Sequence, residues 1–361
     1  MRIAIAGAGA VAYGTAAFLI QNGHAATLWS PSGRLTQELA SGTPLTATGV
    51  VAGEFAAQFA TSAQALVTGA DAIVVALPAY GQKAVMDAIA PHISAGQIVI
   101  VSSQISLSAL YIAKLLAQRG VAAPVVAWSV PLVTGGQNGQ TSVNVTAVKK
   151  KIDMAAVPAC LNSEALARCE AIFGPRFALQ DNLLMITLSN LNPQNHMGVS
   201  LCNFTRIEKG EVWGQHEHIT DSVGRLCEGL DGERLEIARR FGYALKTVRD
   251  HYHASYGVPH GPVGEMALAR HNQGGAPKGP TNVATRYVTE DVPFVLLTTV
   301  LLGRITDAPA AIHDAGITVF SALYGRDFRA ENDILAALDL DGMTPAALQT
   351  LVREGWQGSA A

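Results

Sequence analysis

The chain reads as an α/β protein, a doubly wound and mostly parallel sheet followed by an all-α C-terminal region, and three observations predict it. Short apolar, β-branched runs alternate with helical periodicity through the first half. A glycine-rich turn joins the first strand-like run to the first helical one. Beyond Phe177 helical spacing stands alone. Alternating strands and helices imply parallel strands covered on both faces. The expected domains are therefore residues 1–180 and 181–361.

Residues 3–6 form an apolar, buried-strand run, and Gly7, Gly9 and Ala12 follow in the spacing G-x-G-x-x-A. Gly7 permits a tight turn, Gly9 lets a pyrophosphate approach bare backbone, and Ala12 allows close packing of helix on strand. The helix opening at Ala10 aims unpaired N–H groups and a positive dipole end at the phosphates, and Gly23 ends it. A secretory signal would also show Arg2, an apolar core and Ala10-Val11-Ala12. Three glycines between positions 7 and 14 do not suit one. The unit is read as a Rossmann-type dinucleotide site.

The end of the second strand selects the cofactor. An NAD site usually places an acid there for the ribose 2′-OH, whereas this chain carries Ser30, Ser32 and Arg34. Two hydroxyls and a guanidinium fork suit a 2′-phosphate, so NADP(H) is the expected cofactor and NAD(H) the alternative. Leu77 and Pro78 end the strand of residues 71–78 at the edge where such sheets hold ligands.

Composition narrows the class. Of 361 residues, 49% are hydrophobic and 15% charged, with a net charge of -3, which suits a compact enzyme and offers no basic footprint for nucleic acid. No stretch outside the first βα unit approaches the roughly 20 apolar residues that span a bilayer, and residues 292–302 are too short. A soluble, cytoplasmic protein is expected, and a homodimer is compatible with it. Cys160, Cys169, Cys202 and Cys227 lack C-x-x-C spacing, and His216-x-His218 and His251-x-His253 lack a third ligand, so no metal is expected.

In order, extended segments are expected over residues 45–51 and 54–60, a strand at 71–78, a helix at 82–89, a strand at 98–102, a helix at 106–119 and a strand at 124–128. Residues 141–157, centred on Lys149-Lys150-Lys151, suggest an antiparallel hairpin at the sheet edge. Helices follow around Leu183 to Leu191, then over 222–229, 233–256, 292–302, 308–324 and 345–355. Residues 257–280, with six glycines and four prolines around a short helical core, suggest a mobile lid.

Asn190-Leu191-Asn192-Pro193-Gln194-Asn195-His196 and Arg286-Tyr287-Val288-Thr289-Glu290-Asp291-Val292-Pro293 closely resemble the octopine/nopaline dehydrogenase family, the opine dehydrogenases. The likeness runs almost end to end, through Ile207-Glu208-Lys209-Gly210 and Tyr324-Gly325-Arg326-Asp327-Phe328. It implies reductive condensation: an amino acid amine and a 2-keto acid carbonyl form an imine that NAD(P)H reduces. The resemblance assigns the acid/base pair to His196 and Asp291 and substrate contacts to Asn192 and Arg286. One departure is Ser129 to Gly136, where many members carry an aromatic and an arginine; this bears on the substrate pair.

These residue types suit the chemistry independently. Hydride addition needs a positioned proton donor, and histidine titrates near neutrality. With Asn192 as N-cap and Pro193 opening the helix, His196 would lie in the first turn, where the dipole disfavours imidazolium and a carboxylate such as Asp291 would offset it. Arg286 would hold a carboxylate through two hydrogen bonds. Two alternatives stand beside this reading. One is a ketopantoate or 3-hydroxyacid type carbonyl reductase using Lys209 or Lys246; the other is a cofactor-sensing protein without chemistry.

Overall fold

The computed structural model describes residues 1–356; the expected second domain thus includes five residues, 357–361, outside the described part. Two compact units emerge: Met1–Thr187 joined by residues 348–356, and Leu188–Ala347. The C-terminal residues thus return to the first unit, whereas the sequence pattern groups them with the second. Trp356 Nε1 donates to Leu110 O at 2.9 Å, and Lys114 Nζ sits 4.9 Å from the Trp356 ring centroid.

In the first unit, β1 (Arg2–Ala6), β2 (Ala25–Trp29), β5 (Gln58–Phe59), β6 (Ala72–Val75), β7 (Ile98–Val101), β8 (Val125–Trp128), β11 (Ile152–Val157) and β12 (Phe177–Leu179) form one sheet. Its order is β12-β11-β8-β7-β6-β1-β2-β5, and only the β8–β11 pairing is antiparallel. The sheet is therefore mostly parallel, and β6 and β7 are buried at every residue, as two covered faces require. Strand order reverses at β1, which has β2 on one side and β6 on the other. This creates the crevice in which open α/β sheets bind ligands.

A second sheet, β4 (Gly53–Phe55), β3 (Leu45–Gly49), β10 (Ser142–Val148) and β9 (Val133–Gln137), packs on the Ala10–Gln21 helix. That helix is buried continuously from Ala12 to Leu19, because both flanks are covered. A Cβ on Gly14 would lie 2.8 Å from Val133 Cγ2, so glycine sets how closely this sheet approaches. The expected hairpin over residues 141–157 does not form. β10 pairs with β9 and β3, while β11 pairs with β8 and β12, and the lysine trio is the passage between sheets.

The second unit is helical among the described residues, apart from one isolated bridge between Gly214 and Lys278. The Asp221–Arg240 helix is its axis, with the helices Asn192–Cys202, Val248–Tyr256, Val263–Asn272, Leu297–Ile305 and Ala311–Tyr324 packed on it. It runs unbroken through Gly232, where the sequence reading placed an interruption, because burial outweighs glycine's propensity cost of about 1 kcal/mol. The break falls later. Gly242 adopts φ +82°, and Thr247 with Asp250 forms a capping box that starts the next helix. Inside, Arg234 donates to Asp231, Leu188 O and Lys246 O, so this buried cation has its partners in place.

The expected lid is corrected as well. Val263, Gly264, Met266 and Ala267 are buried, and a Cβ on Gly224 would lie 2.5 Å from Gly264 N. The middle of residues 257–280 is thus a packed helix crossing at two glycines, and a segment so held does not swing as a lid. Gly264→Val should lower the thermal midpoint by several degrees, since overpacking costs about 1–3 kcal/mol. A midpoint unchanged within a degree in calorimetry would contradict this crossing.

Candidate active site and cofactor crevice

In the first unit the glycine turn sits at the strand-order reversal. Gly7 has φ +149°, and a Cβ there would meet Ala76 O at 2.1 Å, so only glycine fits between β1 and the end of β6. Gly9 is the N-cap of the first helix and has nothing within 4 Å of its Cβ direction. Open backbone at a helix N-terminus suits a pyrophosphate, so these residues fit a dinucleotide. Ala10 follows at the helix start, and Ala12 is fully buried, 3.4 Å from the Cβ direction of Gly7. Leu77 O accepts from Gln82 Nε2 at 3.2 Å, and Pro78 is the N-cap of the Ala79–Ile89 helix.

Beyond β2, Ser30 Oγ and Ser32 Oγ lie 3.4 Å apart, and Gly33 N donates to Ser30 O to close a turn. Arg34 opens the short 3₁₀ helix Arg34–Thr36 with its side chain exposed. The loop after β7 is a feature that the sequence reading missed. Ser103, Ser106 and Leu107 all have positive φ, and Ser102 Oγ and Gln104 Nε2 are buried without a partner among the described residues. Positive-φ residues and unspent polar atoms of this kind cluster at ligand-binding loops. No glycine signals it.

In the second unit the structure brings His196 and Asp291 together. His196 lies on the Asn192–Cys202 helix, and Asp291 follows the short Arg286–Thr289 helix. Nδ1 of the imidazole is 2.5 Å from Asp291 Oδ2, and the residues are 7% and 5% exposed. The carboxylate fixes the tautomer, leaving Nε2 as the nitrogen available for proton transfer. Directly after Asp291 the chain makes a π-helical turn, Val292–Leu296, and Asn332 Nδ2 donates to Pro293 O at 2.8 Å. Such wide turns concentrate at functional sites.

Tyr287 covers one face of the imidazole. The ring centroids are 3.6 Å apart with planes 8° from parallel, and the phenol donates to Gln215 Oε1 at 2.9 Å. Burial raises the Tyr287 phenol pKa, so it stays protonated. A signal for Tyr287 existed, because it stands four residues before Asp291 and so on the same helical face. Gln215 is remote in sequence and carried no such signal.

Two expected contacts sit differently. Asn192 is the first residue of its helix, after Leu191 as N-cap, and it is exposed. Asn192 is therefore not the cap, and Leu191 offers no side-chain bond; just outside the helix, Asn190 Oδ1 accepts from Asn192 N at 3.2 Å in a local turn. Arg286 has a side chain 67% exposed, with Nη1 4.0 Å from Glu290 Oε2. Lys209 and Lys246, on which a carbonyl reductase reading would rest, are both exposed.

Residues 179–324 match the family of the NAD/NADP octopine/nopaline dehydrogenase α-helical domain, and residues 3–158 match ketopantoate reductase PanE/ApbA. A curated opine dehydrogenase of Arthrobacter sp. (strain 1C) is 31% identical over 97% of this chain and 98% of its own. Octopine dehydrogenase solved with NADH and L-arginine shares the fold at a TM-score of 0.78 and 13% identity, covering 98% of each chain. Yersinopine dehydrogenase with NADP+ bound superposes at 0.71 with 18% identity, over 92% of this chain and 97% of that one. Sequence likeness across nearly the whole length, with the helical-domain match around the paired imidazole and carboxylate, places the chain in the octopine/nopaline dehydrogenase family of NAD(P)-dependent oxidoreductases acting on CH–NH donors.

Proposed function

We propose that the protein is an NADP(H)-dependent opine dehydrogenase that condenses an amino acid with a 2-keto acid and reduces the resulting imine to a secondary-amine dicarboxylate. The observation that carries this reading is the buried hydrogen bond between His196 and Asp291. Imine formation expels the carbonyl oxygen as water, which needs a proton, and the reverse reaction needs a base. His196 Nε2 serves both, while Asp291 holds Nδ1–H and offsets the imidazolium charge. When bound, the nicotinamide supplies the hydride.

Gly7, Gly9 and Ala10 would hold the pyrophosphate, with Ala12 letting the helix pack close beneath it, and Ser30, Ser32 and Arg34 would hold the 2′-phosphate. Leu77, Pro78, Ser102 and Gln104 line the same carboxyl edge. Arg286 and Asn192 bind substrate carboxylates, with their exposure leaving both free to reorient on binding. The amino acid and keto acid classes are supported by octopine dehydrogenase structures holding L-arginine in one case and pyruvate in another.

His196→Ala should abolish turnover while leaving cofactor affinity unchanged, and Asp291→Asn should cut kcat by about 10²–10⁴-fold. Turnover of His196→Ala within about threefold of wild type would remove the imidazole from the mechanism. Ser30→Asp combined with Arg34→Ala should raise the Michaelis constant for NADPH by about 10–100-fold and favour NADH. Michaelis constants unchanged for both cofactors would refute the 2′-phosphate site. A screen of amino acids against 2-keto acids, followed by NADPH absorbance with mass detection of the product, tests the reaction itself. Turnover with keto acid alone would overturn it.

A further inference from the structure

We infer that Tyr287 is a positioning residue that holds the His196 ring in plane and favours its protonated form, through a stacked π face tethered by Gln215. This inference rests on the reading of His196 as the acid/base group and adds to it how the acid form is maintained. Three constraints act on one ring. Asp291 fixes an edge at Nδ1, Tyr287 fixes a face at 3.6 Å, and Gln215 fixes the far end of the tyrosine. Gln215 is itself 7% exposed and anchored, since its N–H donates to Pro277 O at 3.1 Å.

The stack has an electrostatic sign. A neutral phenol presents negative charge density on its face, and a cation lying on that face is stabilised, more so where water is excluded. A neutral imidazole gains much less. The stack therefore favours imidazolium, in the same sense as Asp291.

The other charged and titratable groups around this ring stay the same between variants of Tyr287: Tyr256 acts on the Tyr287 phenol, and the buried His216, next to Gln215, lies edge-on to Tyr256. Arg286 and Glu290 belong to the same turn as Tyr287. From the Asp221–Arg240 helix, Cys227 lies against Gly198, and Asp231 with Arg234 is a closed pair. From the Ala311–Tyr324 helix, His313 bonds Gln194 and Glu233. On the short Phe204–Glu208 helix, Arg206 pairs with Glu211.

The test keeps the shape and changes the charge distribution of the ring. Tyr287→Phe retains the face, whereas pentafluorophenylalanine at position 287 reverses its quadrupole with nearly the same outline. The imidazole titration of His196 is followed by NMR in the full-length protein, its signals assigned by their loss in His196→Ala. The midpoint should hold in Tyr287→Phe and fall by about half a unit to one unit in the fluorinated protein. The alkaline limb of kcat/KM in the reductive direction should move down by the same amount. Tyr287→Phe and Gln215→Leu should each lower kcat by about two- to fivefold with little change in KM, and together no further than either alone.

Equal midpoints for the phenylalanine and fluorinated proteins would overturn the electrostatic role, and additive losses in the double variant would overturn the tether. Failure of the underlying reading is separately visible. If His196→Ala keeps its turnover, the acid/base assignment falls, while the NMR midpoints still decide whether the stack favours the cation.

Discussion

A carboxylate and an imidazole, both buried and 2.5 Å apart, are the constraint to which the second unit is built. An unpaired Asp291 carboxylate at this depth would cost several kcal/mol, so the fold must hold its partner in place. The two residues are 95 positions apart and arrive on different elements. Small residues make their meeting reproducible. A Cβ on Gly198 would come within 2.6 Å of Cys227 Sγ, and one on Gly316 within 1.9 Å of Met197 Cε. The helix carrying His196 is thereby seated closely against its neighbours on both of these sides. Close packing of this kind permits few alternative placements of a side chain.

The same logic operates in the first unit with backbone in place of side chains. Gly7 brings the end of β1 against Ala76 O, and no other residue fits that approach. The following helix lies between two sheets, so its direction is set from both flanks. A helix N-terminus held this firmly offers its N–H groups without reorganisation when an anion arrives, which is the condition under which such groups bind well. The loop after β7 adds the complementary feature, residues kept at positive φ with polar atoms left over.

What the sequence made legible was local. The strand, glycine turn and first helix share one short stretch, and the parallel sheet follows from the rhythm of runs. The second sheet was not legible, because β3 pairs with β10 through residues about a hundred positions away, and no local pattern encodes such a pairing. The clue was indirect: a first helix without a polar face needs covering on both sides. The long Asp221–Arg240 helix was misread at Gly232, where propensity argues for a break and tertiary packing overrides it. The helix begins one residue earlier than an Asn192 cap implies, with Leu191 at the cap position, a displacement of the kind that helix ends commonly show. His196 and Asp291 were legible through their two motifs jointly, whereas Gln215, with neither motif nor spacing, needed coordinates.

The helix bearing His196 is also held from its opposite face. Gln194, two residues earlier and so roughly 200° around the helix, lies with Nε2 3.2 Å from His313 Nε2. His313 Nδ1 bonds Glu233 Oε2 at 2.7 Å, and Glu233 also accepts from the backbone N–H of Ile312 and His313. Burial alone would raise the Glu233 pKa, yet these hydrogen bonds outweigh it and hold the carboxyl below its ordinary value. A carboxyl depressed on folding contributes stability above its unfolded pKa and loses it only as pH falls through the folded value. Glu233 therefore stays a carboxylate across the neutral range and keeps accepting from the backbone N–H groups of Ile312 and His313. The helix that carries His196 is thus tied, through Gln194 and His313, to a carboxylate that is itself fixed by backbone, and a side chain on so held a helix is placed before any ligand arrives.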